Sequence, residues 1–392
     1  MKFKLDSKSI LAIVFVFILL LGGILTLALS PVEVLGGLVR GYISAPEGSN
    51  VLQKIGNSFK VFDSRMSEYF AFHDASIHAY GCTQRLVGRT LIDDVDSSSE
   101  VVKLKNGYLT FKSTDNTDLT SLKDYLVDVK STSNSEVLYI RSYSKTTSLP
   151  ELIPSFYPYH PTSNFNEIKE IMVANDISVI DFDEITEQQQ FDKYSLFFKT
   201  DHHWTPQAGL WASQNICAKI NESYGWDLDT SIYDISDYNI HHYSGAFLGS
   251  QGKRVGALYA GVDNFDVIIP KFETNLTVEM EDIDFNVTGN FAQTLIDETH
   301  ITPENLLNKN TTAYMTYMQG NHPLVKITNH GITNGKTALF IMDSYGCVVA
   351  PYLSLAFQQL DCIDIRSYSG SVEEYINTTD PDIVIYAISN HQ

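Results

Sequence analysis

The sequence predicts an α/β fold in which a parallel sheet is covered by helices on both faces and carries a β-rich insertion. Three observations predict it. Five short apolar runs of buried-strand length occupy residues 137–141, 177–182, 337–342, 360–365 and 382–387. Segments of helical periodicity, such as 168–175 and 207–220, fall between those runs, the alternation that crossover-connected parallel strands produce. Between residues 225 and 330 the alternation stops. Runs such as 265–270 and 275–280 sit there among many Asn and Thr residues, and the stretch reads as loops and an antiparallel flap near the sheet's active edge.

The chain begins differently. Residues 10–29 carry no charge and are long enough to cross a bilayer, and Lys2, Lys4 and Lys8 precede them. This predicts a cytoplasmic tail over 1–9, a transmembrane signal anchor over 10–29, and export of the remainder of the chain. A cleaved signal peptide is the rival reading; against it, the apolar run is long and Pro31 follows the one small-residue candidate site, Ala28-Leu29-Ser30. The Gly- and Pro-rich stretch 30–50 reads as a linker, and 51–392 as one extracytoplasmic domain. Within it, 51–95 looks helical, with Tyr69, Phe70, Phe72 and Leu86 on apolar faces. Residues 101–111, with Asn106-Gly107 in the middle, read as a hairpin. A polar run over 112–135 and a Pro-rich loop over 149–161 come next.

Composition excludes some functions. With 47 acidic against 27 basic residues the formal charge is −20, so no basic stripe exists to neutralise nucleic-acid phosphates or hold anionic lipid broadly. Cys82, Cys217, Cys347 and Cys362 form no C-x-x-C pair, which gives no support to a structural zinc site. Export permits a disulfide, with Cys347 and Cys362 nearest in sequence; buried free thiols fit equally. Five sequons, beginning at Asn221, Asn275, Asn286, Asn310 and Asn377, suit an exported surface.

The most chemically loaded stretch runs from Thr200 through Asp201, His202, His203 and Trp204 to Thr205 and Pro206. Asp and His are poor helix formers, so these positions read as a turn or a short extended piece. Thr205 is then a good N-cap and Pro206 suits the first helical position. A carboxylate two residues from an imidazole can fix its tautomer and stabilise its cation, which is the base-and-orienter half of a nucleophilic triad. A solvent-facing helix entry is the plain alternative.

The strand 337–342 runs into Asp343, Ser344, Tyr345 and Gly346 and then into helical sequence. Parallel sheets place ligands at the carboxyl ends of their strands, and a serine between strand and helix is held beside backbone N–H groups able to bind an oxyanion. An ordinary N-cap serine is the competing reading. Asp201, His202 and His203 are also metal-ligand types, but adjacent residues rarely converge on one ion and no second cluster exists, so no metal and no cofactor are assigned. The phosphate-loop likeness of 331–337 fails on glycine spacing and on the strand that comes after it.

Asp201-His202-His203-Trp204 resembles the signature of the DHHW proteins and the alginate O-acetyltransferase group. Residues 103–109, 247–254, Asp364 with Arg366, and 381–384 are loosely similar to further segments of that family. The resemblance implies an SGNH-hydrolase-like three-layer sandwich, with Asp201 and His203 as the acid–base pair and Ser344 as nucleophile. It implies acyl transfer, with Tyr345 helping to bind the oxyanion and a second oxyanion donor not assigned. Met342 stands where ordinary SGNH enzymes have Gly, and the Asp–His pair precedes the serine. His202, Trp204, Ser250 and Arg254 are candidates for substrate contact, Trp204 by stacking on a sugar or else by core packing; His241 and His242 are weaker candidates. A glycan O-acetyltransferase supplied by a membrane-bound O-acyltransferase is implied. A carbohydrate acetyl-esterase of the same fold and a non-catalytic glycan-binding surface protein are the alternatives.

Overall fold

The computed structural model describes residues 6–94, 100–111, 119–142, 145, 152–155, 165–308 and 311–388. Most of the Pro-rich stretch 149–161, the start of the polar run at 112–118 and the sequon at Asn310 lie outside the described residues. The chain divides into two compact units, 1–83 and 84–392.

The first unit is helical: Ser7–Leu29, Pro31–Ile43, Val51–Glu68 and His73–Leu86. Ser7–Leu29 is long and apolar enough to cross a membrane. The expected linker contains a helix instead. Pro31 sits at its first turn, where a missing N–H costs nothing. Two of its glycines, Gly37 and Gly41, serve close packing: a Cβ on Gly41 would lie 2.7 Å from the Asn57 carbonyl oxygen.

The second unit opens with β1 (Leu91–Ile92), β2 (Val101–Lys103) and β3 (Leu109–Phe111), an antiparallel trio in which Gly107 turns at φ 88°. Then come β4 (Glu136–Arg141), β5 (Ile177–Asp181), β6 (Tyr238–Phe247), β7 (Asp263–Pro270), β8 (Leu276–Met280), β9 (Phe285–Gly289), β10 (Leu324–Asn329), β11 (Thr337–Met342), β12 (Gln359–Asp364) and β13 (Ile383–Ala387). The large sheet has the order β5-β4-β13-β11-β12-β10-β8-β9. Its first five strands are mutually parallel and coincide, within one residue at each end, with the five apolar runs.

The insertion differs from expectation. Among its described residues, β6 and β7 alone form a separate antiparallel pair. Strands β10, β8 and β9 add antiparallel to the edge at β12 and extend the main sheet. Their alternating burial explains this, because each presents one apolar face that the sheet edge can continue.

Central β11 feeds both cores. Ala338, Phe340 and Met342 pack on the side of helix Pro206–Tyr224. Leu339 and Ile341 pack on the side of helices Thr120–Thr132, Phe165–Ala174 and Val372–Thr379. Helix Pro206–Tyr224 begins as the sequence predicts: the Thr205 hydroxyl accepts from Ala208 N–H at 3.3 Å, and Gly225 ends it at φ 65°. Gly209 lets its first turns press on the Val348 carbonyl, where a Cβ would collide. That contact locks the helix carrying the 201–204 loop onto the turn that carries Ser344. Gly209→Ala is therefore expected to cost about 1–3 kcal/mol through overpacking, read as a lower urea midpoint with an unchanged slope.

Candidate active site

The Asp201–Trp204 segment is a turn closed at its base. Phe197 and Trp204 form an isolated antiparallel bridge, and Thr205 N–H donates to the Leu196 carbonyl at 2.8 Å. Of the two expected forms the turn is the one found, because the Asp201 Oδ1 atom accepts the His203 backbone N–H at 2.9 Å. The same oxygen lies 2.5 Å from His203 Nδ1. Asp201 Oδ2 accepts the backbone N–H of Ser250, also at 2.5 Å. The loop is pinned from the insertion as well: Asp263 accepts Thr200 N–H at 2.7 Å, and Thr200 Oγ1 accepts Gly249 N–H at 2.9 Å. Burial pushes the Asp201 carboxyl up, but His203 and His202 beside it and the hydrogen bonds from His203 outweigh that and hold it well below the usual carboxylate range.

Ser344 lies at the carboxyl end of β11 in the first position of a 3₁₀ turn, Ser344–Val348. Its Oγ is 2.8 Å from His203 Nε2. With Nδ1–H directed at Asp201, Nε2 is the acceptor for the serine hydroxyl. The two expected loops thus meet, and Asp201, His203 and Ser344 form one continuous hydrogen-bonded line. The ring of Tyr314 stacks on His203 at 4.2 Å, and its hydroxyl donates to the Ser344 carbonyl at 3.1 Å. Ser344 keeps 5 % of its surface exposed, and the more open groups beside it are His202 and Arg366.

The remaining candidates fall in different surroundings. Trp204 is 2 % exposed and packs edge-on against Phe182, so it is a core residue and offers no face to a sugar. The Tyr345 N–H donates to the Asp343 carboxylate at 2.9 Å and its phenol donates to the His202 carbonyl at 2.7 Å, so neither is directed at an oxyanion. His241 and His242 lie exposed on β6, paired with Glu298 and Asp266. Ser250 and His202 do adjoin the line, Ser250 Oγ lying 3.1 Å from His202 Nδ1. Arg254 stacks over Phe111, whose ring lies 5.5 Å from His202. The donor atoms of Asp201, His202 and His203 fall within 4.8 Å of one another. Both Asp201 oxygens and both His203 nitrogens are already engaged, so an ion there would have to break the line. The four cysteines are free thiols, and Cys347 packs its Sγ 3.1 Å from Asn321 Oδ1 rather than on Cys362.

Residues 142–255 match the family described as the SGNH hydrolase-like domain of the acetyltransferase AlgX. The fold is SGNH hydrolase-like. Among solved structures, PatB1 from Bacillus cereus with a sulfonyl adduct is 18% identical over 74% of this chain and 95% of its own, with a TM-score of 0.57. A DHHW family protein from Eubacterium siraeum is 18% identical over 76% of this chain and 93% of its own, with a TM-score of 0.56. No curated protein matches the sequence. At these identities the likeness is one of SGNH-type architecture.

Sequence reasoning missed three groups here. Arg366 places Nη1 3.4 Å from Ser344 Oγ, while Asp364 holds its Nε and Nη2 at 2.8 and 2.6 Å; the Asp-x-Arg spacing after the fourth strand was its only signal. Tyr314 had none. Lys145 is buried beneath the turn, donating to the carbonyl oxygens of Asp201 and Leu109. Burial pushes its ammonium down to about 7, against the pull of Asp201 and Asp263. An unfolded chain then binds the proton more tightly, so the Lys145 contribution to stability rises with pH from about 7 towards 10.5. The stability of the wild type relative to Lys145→Met is expected to increase across that window in urea titrations; a flat difference would contradict it.

Proposed function

We propose that this chain is an acyl-transfer enzyme in which Ser344 is the nucleophile, His203 the base and Asp201 its orienter. The observation that carries the proposal is the 2.8 Å approach of His203 Nε2 to Ser344 Oγ with Asp201 2.5 Å behind Nδ1. Ser344 Oγ attacks an acyl carbonyl and passes its proton to His203. Asp201 stabilises the resulting imidazolium, and His203 then gives the proton to the departing group. The acyl-serine is attacked by a sugar hydroxyl, or by water, with His203 again accepting the proton. With Tyr345 N–H engaged by Asp343, the donors at the developing oxyanion are the Ser344 N–H and Arg366 Nη1.

The acetyltransferase description of the matching family and the apolar helix Ser7–Leu29 support a glycan O-acetyltransferase held at the outer face of a membrane. Outside the cell no soluble acyl-coenzyme A pool is at hand, so a membrane-bound O-acyltransferase is the proposed donor. The same groups would serve a carbohydrate acetyl-esterase. What separates the two is whether an acetylated oligosaccharide, seen by mass spectrometry, forms faster than free acetate.

Ser344→Ala is expected to lower turnover of p-nitrophenyl acetate by on the order of 10⁴-fold or more. Wild type that binds glycan without any turnover would instead indicate a binding module. Arg366→Ala is expected to lower kcat by about 10²–10³-fold with KM little changed, the behaviour of a lost oxyanion donor. A rise in KM alone would move Arg366 from the transition state to substrate binding.

A further inference from the structure

In the first unit, the helices after the apolar span fold back against it. Ala71 N–H donates to Thr26 Oγ1 at 2.9 Å, and Thr26 Oγ1 donates to the Gly22 carbonyl at 2.7 Å. The rings of Phe70 and Phe72 pack where Gly22 has no side chain. Thr26 and Gly22 lie roughly 4 and 10 Å inside the end of the Ser7–Leu29 helix at 1.5 Å per residue. The segment after Glu68 therefore returns to the depth of the span's last two turns. Its exposed N–H is met there by a protein hydroxyl, as a water-poor setting demands.

Helices Pro31–Ile43 and Val51–Glu68 form an antiparallel hairpin between these points. Gly41 meets Asn57 and Ser58, and Gly37 meets Phe62 and Arg65. On the face away from that seam, Val32, Leu35, Val39 and Ile43 are exposed along the first helix, with Ile43 at 76 %. Leu52, Ile55 and Phe59 are exposed along one flank of the second, with Leu52 at 79 %. With 3.6 residues per turn the first row faces away from the second helix and the second row stands about 120° from the seam, so both point outward from the hairpin. Glu33 and Arg40 stand to one side of the first row, Gln53 and Lys60 lie away from the second, and Asp63, four residues after Phe59, is exposed at the end of that second row. A largely apolar outer side, interrupted by Asp63, on a hairpin that starts one residue after the span and returns to its flank, suits a lipid neighbour.

We propose that residues 31–72 are a second membrane element, a hairpin seated in the interface of the leaflet where the span ends, with Leu35, Val39, Leu52 and Phe59 against acyl chains. This rests on the reading of Ser7–Leu29 as a transmembrane anchor, and the test separates the two. Single cysteines replace Leu35, Val39, Leu52, Phe59, Gln53, Lys60 and Val16 in the full chain carrying Cys82→Ser. The other three cysteines are buried and escape labelling. Each variant receives a nitroxide in phosphatidylcholine–phosphatidylglycerol vesicles, and collision with oxygen is compared with collision with a water-soluble nickel chelate. Positions 35, 39, 52 and 59 are expected to match Val16 in favouring oxygen, and Gln53 and Lys60 to favour nickel. Should 35, 39, 52 and 59 favour nickel while Val16 favours oxygen, the anchor stands and the hairpin proposal falls. Shielding of those four from both reagents would place a protein partner on the face and overturn the lipid assignment. Nickel dominance at Val16 as well would remove the anchor reading itself.

Discussion

The carboxylate of Asp201 is the charge around which the site is assembled. Taking an ion out of water costs several kcal/mol even after relaxation, and only well-directed donors offset that. Asp201 receives them from three places: the backbone of its own turn, the ring of His203, and the backbone of Ser250 in the insertion. The insertion is thereby part of the site rather than an ornament on it. Gly249 has no side chain because the Asp201 Cβ occupies that space. The ring of His203 is consequently fixed at one nitrogen by a charge and presents the other to Ser344.

The parts of the fold that could be read ahead of the structure are those whose local pattern and tertiary setting agree. The five parallel strands are buried on both sides, so each is a short, largely apolar run, broken in β12 by the buried Asp361 and Asp364. The Thr205–Pro206 helix start is equally local, since cap and first turn are adjacent in sequence. Misreadings arose where one residue type serves two purposes. Glycines at 37 and 41 look like linker punctuation, yet they are contact surfaces between two helices. Strands β8, β9 and β10 look like a flap because nothing in their sequence says which edge they extend.

The site was legible to a similar depth. Asp201, His203 and Ser344 carry unusual chemistry in unusual company, and their meeting needed only the rule that parallel sheets gather loops at one end. For Trp204 the sequence left a sugar platform and core packing both open. Its place at the base of the turn, bridged to Phe197, puts it in the core. Tyr345 was misassigned for a subtler reason. The Asp343 side chain that precedes the serine caps the 3₁₀ turn and takes up the N–H which a plain strand-to-helix junction would leave open.

That capping shifts weight onto Arg366, and the sheet register explains how an arginine comes to stand there. Met342 of β11 pairs in parallel with Asp364 of β12. Residues two positions beyond each partner, Ser344 and Arg366, therefore emerge side by side at the same end of the sheet. Asp364, nearly fully buried at that strand end, grips two of the guanidinium nitrogens and leaves Nη1 aimed across at the serine. A lysine at 366 could carry the charge but has no rigid fork for Asp364 to orient. A preorganised donor is worth more than a mobile one, because no reorganisation is needed as negative charge develops. The position of the arginine is thus a consequence of strand pairing, visible only once the register between the two strands is known.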